Sequence, residues 1–412
     1  MSTLTAPAGA LRRDATVIGL VGLAHGISHF SQLLLAPLFP WLKDAFAVSY
    51  TELGLLMTIF FVVSCAVQAL SGFWVDRYGP RPILFTGLSL LALAAFGFAA
   101  SESYAMLAVF SVVAGTGNGV FHPADFTLLN RKVQQSRLGH AFSVHGITGS
   151  LGWALAPAML VPLTLSFSWR VALVAAGVLI CAVIGLLWLK RRHLTVDIAD
   201  AARPVTGAAP AAAGGDLGFL TIPAVWMCFA FFFFYAVALS GVQAFAPEAA
   251  RLLHDVPAHL AAICLTVYMV SAAGGMVVGG FLVSDPARCE RVVGIGFGAA
   301  SLIALVVGFA DVPALAVPVL FGAMGFGAGI AGPSRDLLVK RSAPDNATGR
   351  VYGVVYSGLD IGQAIAPLVF GSLMDSHRPA QVWLGIALVQ GVLIVSAFNV
   401  RRVRRTVVVA AA

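Results

Sequence analysis

Long uninterrupted apolar segments recur along this 412-residue sequence and restrict what it can fold into. A helix needs roughly 20 apolar residues to cross the hydrocarbon core of a bilayer, whereas a membrane β-strand is a segment of about 10 residues with alternating polarity. The pattern therefore predicts an all-α membrane protein with twelve transmembrane helices. The predicted spans are 16–40, 51–75, 82–100, 104–129, 139–163, 168–189, 221–247, 258–284, 290–310, 313–338, 349–375 and 380–399.

Composition and charge favour the same class of protein. Hydrophobic residues make up 59% of the chain and charged residues 10%, against about 25% charged residues in ordinary globular domains. With both termini in the cytoplasm, 20 of the 25 Lys and Arg residues fall in cytoplasmic segments and four on the other side. The net charge of +7 therefore needs no nucleic-acid partner. We expect a multi-pass monomer in a bacterial-type inner membrane, with the lipid bilayer as its surroundings.

An Ala-, Gly- and Pro-rich segment at 195–216 separates six predicted spans from six others. We interpret 191–218 as a cytoplasmic linker between an N-terminal bundle at 1–190 and a C-terminal bundle at 219–412. The halves repeat each other, which predicts two pseudo-symmetric six-helix bundles with a solute site at the repeat interface. At an offset of 210, "GWALAP" (152–157) matches "GQAIAP" (362–367), Pro123 matches Pro333, and Gly117, Gly119 and Gly139 match Gly327, Gly329 and Gly349.

The loop between the second and third predicted spans carries the motif "GFWVDRYGPRP" at 72–82. It resembles the signature of the major facilitator superfamily, and with twelve spans and a repeat the resemblance covers the whole chain. Gly72 is expected to permit close helix approach. The resemblance implies a cytoplasmic gate loop in which Asp76 faces a helix N-terminus of the other half. The residues that fit the motif are Gly72, Asp76, Arg77, Gly79 and Arg81.

A narrower resemblance rests on Ser-His in the first span and Phe-His-Pro followed by an acid in the fourth. Here these are Ser28-His29 and Phe121-His122-Pro123, with the acid at Asp125. Together with 139–157, "GHAFSVHGITGSLGWALAP", they look like the fosmidomycin-resistance-type branch of drug and metabolite exporters. The acid lies one position later than the glutamate of that branch, and Gln32 stands near the place of another acid.

Ionisable residues inside the predicted spans are the candidate functional residues, because a charge at mid-bilayer costs about 2.5–3.5 kcal/mol and normally faces a cavity or a partner. At about 1.5 Å per residue, His29 and Asp360 lie near the middle of the membrane, and His122 and His145 at a shared, shallower depth. We assign these residues to proton coupling or to the substrate cavity. The full set is His29, His122, Asp125, His145, Arg335 and Asp360.

Each candidate also has a structural interpretation. Asp125 can be an interfacial ion-pair partner of an arginine, and Arg335 can extend to the membrane surface. His122 can donate to a carbonyl group that Pro123 leaves unpaired. His25 is interpreted as a helix-packing residue, and the glycines that flank Asp360 can mark tight packing. An aromatic run at 229–235 is interpreted as lipid-facing.

The function predicted from these residues is secondary active transport. The sequence contains no nucleotide-binding loop, so a proton gradient is the simpler driving force, and several histidines with Arg335 suit an anionic solute. No metal site, cofactor or enzyme activity is predicted, because no pair among the five cysteines has metal-ligand spacing and no catalytic set is present. The leading hypothesis is a proton-coupled exporter of a small drug or metabolite. Import of an organic anion by proton symport and a transport-inactive membrane sensor are the alternatives.

Overall fold

The computed structural model describes residues 8–196, 223–282, 289–342 and 348–410. Most of the predicted linker, from 197 onwards, lies outside the described residues, although 191–194 form a 3₁₀ turn. The described part is helical throughout, as the sequence predicts. Its α-helices are α1 Ala8–Gln32, α2 Phe39–Phe46, α3 Tyr50–Tyr78, α4 Pro80–Ala100, α5 Tyr104–Asn118, α6 Phe121–Lys132, α7 Leu138–Ser166, α8 Trp169–Leu189, α9 Pro223–Ala244, α10 Ala246–His254, α11 Ala258–Leu282, α12 Cys289–Phe309, α13 Val317–Ser342, α14 Thr348–Asp375 and α15 Pro379–Ala410.

Three of the predicted spans consist of two helices each. The first contains α1 and the start of α2, the fourth contains α5 and α6, and the seventh contains α9 and the start of α10. Among the described residues, 10 segments are long and apolar enough to cross a membrane. The helix order therefore agrees with twelve spans, although the sequence pattern does not reveal where a span is broken.

The chain divides into two compact units that follow the two halves with one exception. The first unit comprises Met1–Leu35 and Val63–Val205, and the second comprises Ala36–Val62 and Thr206–Ala412. In the first unit α1 packs against α7, and α4 packs against α5 and α8. In the second unit α11 and α12 pack against α13, and α9 packs against α14. The exception is the segment 36–62, which precedes residue 190 in sequence but belongs to the second unit.

Glycines at repeat-related positions make close helix contacts within each unit. A Cβ atom at Gly117 would lie 2.9 Å from the carbonyl oxygen of Gly87, and one at Gly327 would lie 3.0 Å from that of Gly296. Gly119 and Gly329 likewise meet a carbonyl oxygen of a neighbouring helix. The repeat found in the sequence therefore corresponds to the same packing role in the two units.

The aromatic run at 229–235 does not simply face lipid, because part of it forms the core of the second unit. Phe231 and Phe232 are buried. Phe231 packs in one cluster with Phe297 and Leu393, against which Tyr235 lies. Nearby helices from the C-terminal half supply these contacts, so the interpretation as lipid-facing bulk is wrong for this part of the run.

The amino end of α3 is fully capped. Ser49 and Glu52 form a capping box, with the Ser49 N–H donating to Glu52 Oε2 at 2.7 Å and the Glu52 N–H donating to Ser49 Oγ at 3.1 Å. The next two backbone N–H groups, of Tyr50 and Thr51, donate to the carboxylate of Asp375 at 2.7 and 2.8 Å, and Thr51 Oγ1 donates to it at 2.6 Å. Asp375 therefore ties the end of α14 to the start of α3 inside the second unit.

Replacing Asp375 by asparagine is expected to lower the stability by about 1.5 kcal/mol, because hydrogen bonds to a charged acceptor at a helix N-terminus become neutral ones. The thermal midpoint of the purified protein in detergent measures this change. Asp311→Asn is the matched control, since Asp311 is exposed in the connection after α12. Equal midpoints for the two variants would contradict a stabilising role for Asp375.

Candidate functional site

Close packing of α1 against α7 brings two histidines of α1 beside one of α7. Glycines create the space: a Cβ atom at Gly149 would lie 2.9 Å from the His29 ring and 3.1 Å from His25 Nε2. One turn further along α7, Gly152 lies against the carbonyl group of Gly26, where a Cβ atom would overlap it. The two backbones can approach this closely only because both contact positions lack side chains.

A break in the fourth span places His122 and Asp125 on a helix of their own. The regular helical hydrogen bonding is interrupted at 119–120, although Gly119 and Val120 keep φ and ψ in the right-handed α region. Pro123, in the first turn of α6, has no N–H to donate to the carbonyl group of Gly119. The carbonyl group of Gly119 accepts a hydrogen bond from Ser71 Oγ at 3.1 Å. This geometry is consistent with the prediction that Pro123 opens the helix, because the Gly119 carbonyl group, four residues before Pro123, is the one left without a backbone donor.

Asp125 lies at the centre of the resulting cluster and is fully buried. Its Oδ2 atom is 3.2 Å from His25 Nδ1 and 3.2 Å from His145 Nε2. The rings of His25 and His145 stack with centroids 3.5 Å apart. His122 completes the group, its ring centroid 5.4 Å from that of His25, and Phe126 stacks on His122.

Two interpretations of the sequence change with this geometry. Asp125 faces histidines instead of the arginine partner considered from the sequence. His25, interpreted as a helix-packing residue, is a central member of the cluster. His122 and His145, predicted at similar depth, do lie close together, with centroids 6.2 Å apart.

A network of uncharged polar side chains adjoins the histidines. Asn118 Oδ1 accepts from Ser28 Oγ at 3.3 Å and from Gln32 Nε2 at 3.2 Å, while Asn118 Nδ2 donates to Ser64 Oγ at 2.8 Å. Trp153 Nε1 donates to Gln32 Oε1 at 2.9 Å, and the Trp153 ring contacts the His29 ring with centroids 4.3 Å apart. Sequence reasoning misses Asn118, Ser64 and Trp153, since single polar residues in apolar spans carry no spacing pattern.

Several buried polar atoms of the cluster have no hydrogen-bond partner in the part of the chain that the structure describes. They are His25 Nδ1, His29 Nδ1, His122 Nδ1 and Asp125 Oδ1. His25 Nδ1 is near Asp125, but not in hydrogen-bonding geometry. Because buried polar groups are normally paired, these atoms are available to a bound ion or solute.

The sequence profile of the Major Facilitator Superfamily matches residues 21–367 and 254–409. The chain belongs to this superfamily. Its members are transporters and not enzymes, so this protein is a multi-pass membrane transporter. A bacterial homologue of the human lysosomal transporter Spinster, solved in an inward-facing and occupied conformation, has the same fold, with a TM-score of 0.75 at 14% identity over 94% of this chain and 97% of that one.

Curated relatives of this major facilitator include two with different named solutes. The fosmidomycin resistance protein of Escherichia coli (strain K12) is 29% identical over 154 residues, 35% of this chain and 36% of that protein. The probable nitrate/nitrite transporter NarK2 of Mycobacterium tuberculosis (strain CDC 1551 / Oshkosh) is 26% identical over 89% of this chain and 90% of that protein. The match to the first relative thus spans about a third of its length, whereas the match to the second spans nearly all of it.

The superfamily motif at 72–82 covers the end of α3 and the start of α4 in this transporter, with Gly79 as the one residue between the two helices. Gly79 has φ +83° and ψ 157°, a conformation that essentially only glycine adopts, and Pro80 follows it as the first residue of α4. Asp76 and Arg77 are exposed, and Arg81 donates to Thr195 Oγ1 at 2.8 Å. Gly72 meets no atom within 4 Å among the described residues, so close helix approach does not explain this glycine here.

Asp360 and Arg335 belong to the second unit, apart from the histidine residues in the first. Asp360 is half-buried on α14 between two glycines that pack on α9. A Cβ atom at Gly358 would lie 2.7 Å from the Phe229 carbonyl oxygen, and one at Gly362 would lie 2.5 Å from that of Phe233. The tight-packing interpretation of these glycines is correct. Arg335 lies on α13, and its side chain is outside the described part of the structure.

Proposed function

We propose that this transporter exports a small anionic drug or metabolite in exchange for protons, by alternating access across a bacterial-type inner membrane. The observation that carries this proposal is the group of four buried or half-buried histidines and one buried aspartate in the first unit, which includes polar atoms without hydrogen-bond partners among the described residues. Ionisable groups within a membrane bundle mark solute or ion pathways. The chain is proposed to act as a monomer, with both termini in the cytoplasm.

The proposed solute site is the histidine cluster and the adjoining Asn118 network. It would contain His29, His122, Asp125 and His145 of the predicted residues, to which the structure adds His25. Imidazole N–H groups and the amide of Asn118 are hydrogen-bond donors suited to the oxygen atoms of an anion. Arg335, on α13 of the second unit, is proposed to take part in proton coupling or solute transport as a membrane-embedded cation.

The named relatives support an anionic solute and favour export. One is a fosmidomycin resistance protein, and fosmidomycin is a phosphonate; another is a probable nitrate/nitrite transporter, and nitrate and nitrite are anions. Resistance to a drug is the expected consequence of its export. The near full-length match to the nitrate/nitrite transporter keeps import by proton symport as the second candidate.

Asp360 is the proposed proton-coupling residue. It is an acid on an apolar, glycine-rich helix, half-buried, and its repeat-related position in the first unit is the neutral Ser150. An acid in this setting can release and take up a proton as its surroundings change between states of the transporter. Asp76 in the loop at 72–82 is proposed to stabilise the closed cytoplasmic gate, as in the superfamily signature.

Transport by the purified protein in liposomes tests the function and its direction. An antiporter accumulates the solute in liposomes whose interior is acidic, whereas a symporter accumulates it when the exterior is acidic. The panel contains fosmidomycin as the phosphonate, nitrate, and a neutral sugar as the control solute. If an anion accumulates only when the exterior is acidic, the symport alternative replaces export. If neither anion shows gradient-driven flux, the proposal is contradicted.

Replacing Asp360 by asparagine is expected to reduce gradient-driven accumulation at least tenfold, while solute counterflow without a gradient continues. The amide keeps the shape of the side chain but cannot exchange a proton. Thermal stability is expected to hold or rise, because the variant no longer buries a carboxylate.

Asp311→Asn is the matched control for this variant, because the same substitution is made at an exposed acid of the same unit. It is expected to accumulate solute like the wild type. If the Asp360 variant loses counterflow together with gradient-driven transport, the residue binds solute. If its transport per folded molecule is normal, Asp360 has no part in coupling.

A further inference from the structure

Three imidazoles and one carboxylate from three helices meet in the first unit as a ligand set. The donor atoms of His25 on α1, His122 on α6 and His145 on α7 all lie within 4.8 Å of one another. Asp125 Oδ2 is 3.2 Å from the nearest nitrogen atoms of His25 and His145. We propose that these four residues bind one divalent transition-metal ion of the class that prefers imidazole ligands, such as Zn²⁺.

The distances suit a tetrahedral ion. With metal–ligand bonds of about 2.0–2.1 Å, the ligand atoms of a tetrahedral site lie about 3.3 Å apart. The two contacts of Asp125 Oδ2 already have this length. The donor atoms of the three histidines lie within 4.8 Å of one another, and we expect the imidazole of His122 to turn inward when the ion binds.

Burial gives an independent argument for a ligand at this position. His25 Nδ1, His122 Nδ1 and Asp125 Oδ1 are buried without hydrogen-bond partners among the described residues. Buried polar atoms without hydrogen-bond partners destabilise a protein interior, so we expect an ion, a water molecule or a solute to pair with them. A cation in contact with Asp125 and the imidazole nitrogens would satisfy several of them together.

The chemistry of the donors selects the class of cation. Ca²⁺ and Mg²⁺ prefer six or more oxygen ligands, and this cluster offers mainly nitrogen. Imidazole suits Zn²⁺, Cu²⁺ and Ni²⁺. Ligation uses neutral imidazoles, so the stacking of His25 on His145 at 3.5 Å is compatible with a bound metal. His29 lies outside the donor set and contacts the rings of His25 and Trp153.

Binding of Zn²⁺ to the full-length protein in detergent is the direct test, with the protein purified through a tag that contains no histidine. Isothermal titration calorimetry is expected to give one tight site per chain, and Mg²⁺ at the same concentration is expected not to compete. Co²⁺ used as a probe is expected to show the visible absorption of a tetrahedral nitrogen and oxygen site. This binding test does not depend on transport, so its failure would leave the proposed export function undecided. Failure of the transport assay would likewise leave the metal-site proposal undecided.

The variants His25→Gln and His122→Gln are each expected to weaken Zn²⁺ binding at least tenfold. His140→Gln is the matched control, since His140 lies on α7 but is exposed. Zn²⁺ is also expected to raise the thermal midpoint of the wild type and of His140→Gln, but not that of the two cluster variants. His122 is half-buried, so its variant provides the test if loss of the buried His25 prevents folding.

Two outcomes would overturn the proposal. One is the absence of stoichiometric Zn²⁺ binding by the folded wild-type protein. The other is equal weakening by His140→Gln and by the cluster variants, which would assign the binding to surface histidines.

Discussion

Replacing Gly152 by valine is expected to lower the stability of the protein by about 3 kcal/mol or more, near the upper end of what overpacking costs. Any Cβ atom at this position overlaps the backbone carbonyl group of Gly26 on α1. Backbone atoms cannot turn aside as a flexible side chain can, so α1 and α7 must move apart. The same movement separates His25 and His29 from His145, and transport and Zn²⁺ binding are expected to fall with stability.

Gly146→Val is the matched control for this variant. Gly146 lies on the same helix, less than two turns away, and is exposed; a Cβ atom added there would meet no atom within 4 Å among the described residues. Gly146→Val changes the helix propensity as Gly152→Val does, but its side chain does not overlap the backbone of another helix. Thermal midpoints in detergent compare the two variants directly. If both unfold at the wild-type temperature, the contact of α1 with α7 is not a rigid one.

The spans of the fold can be predicted from the sequence because length and apolarity alone set them. The breaks within spans are predictable only in part: Pro123 indicates the opening of the fourth span, but the contacts made at 119–120, between α5 and α6, are not visible in the sequence. The packing around this break is tertiary: a Cβ atom at Gly119 would lie 2.5 Å from the carbonyl oxygen of Ser64 on α3, and the Gly119 carbonyl group accepts from Ser71 Oγ. Contacts between distant segments leave no periodic pattern in either segment.

The candidate site can be predicted only in part, because contacts between distant segments do not appear as a pattern in the sequence. The cost of ionisable residues in a membrane selects His122, Asp125 and His145, and the structure brings these three together. The sequence does not select His25, because its one histidine neighbour on the same helix is His29, and the remaining members of the cluster are distant in sequence. Its partners come from α6 and α7, which only the packing of α1 through Gly26 and Gly152 reveals.

Replacing Asn118 by leucine is expected to cause the second largest loss of stability, because Asn118 hydrogen-bonds to three buried or half-buried side chains from two other helices. Its amide accepts from Ser28 and Gln32 and donates to Ser64. Replacement by leucine keeps the approximate volume but leaves these groups without their partner. Since each unsatisfied buried group costs about 1–3 kcal/mol, we expect a total loss of about 3 kcal/mol after partial rearrangement.

Asn130→Leu provides the comparison for this variant, because Asn130 donates a hydrogen bond to the carbonyl group of Phe126 on its own helix. The Asn118 variant is expected to unfold at a clearly lower temperature than the Asn130 variant. Gln32 also holds Trp153, which contacts His29, so loss of Asn118 is expected to weaken solute binding in the fraction that remains folded. Equal midpoints for the two variants would mean that water replaces the amide, and unchanged solute affinity would remove the Asn118 network from the proposed solute site.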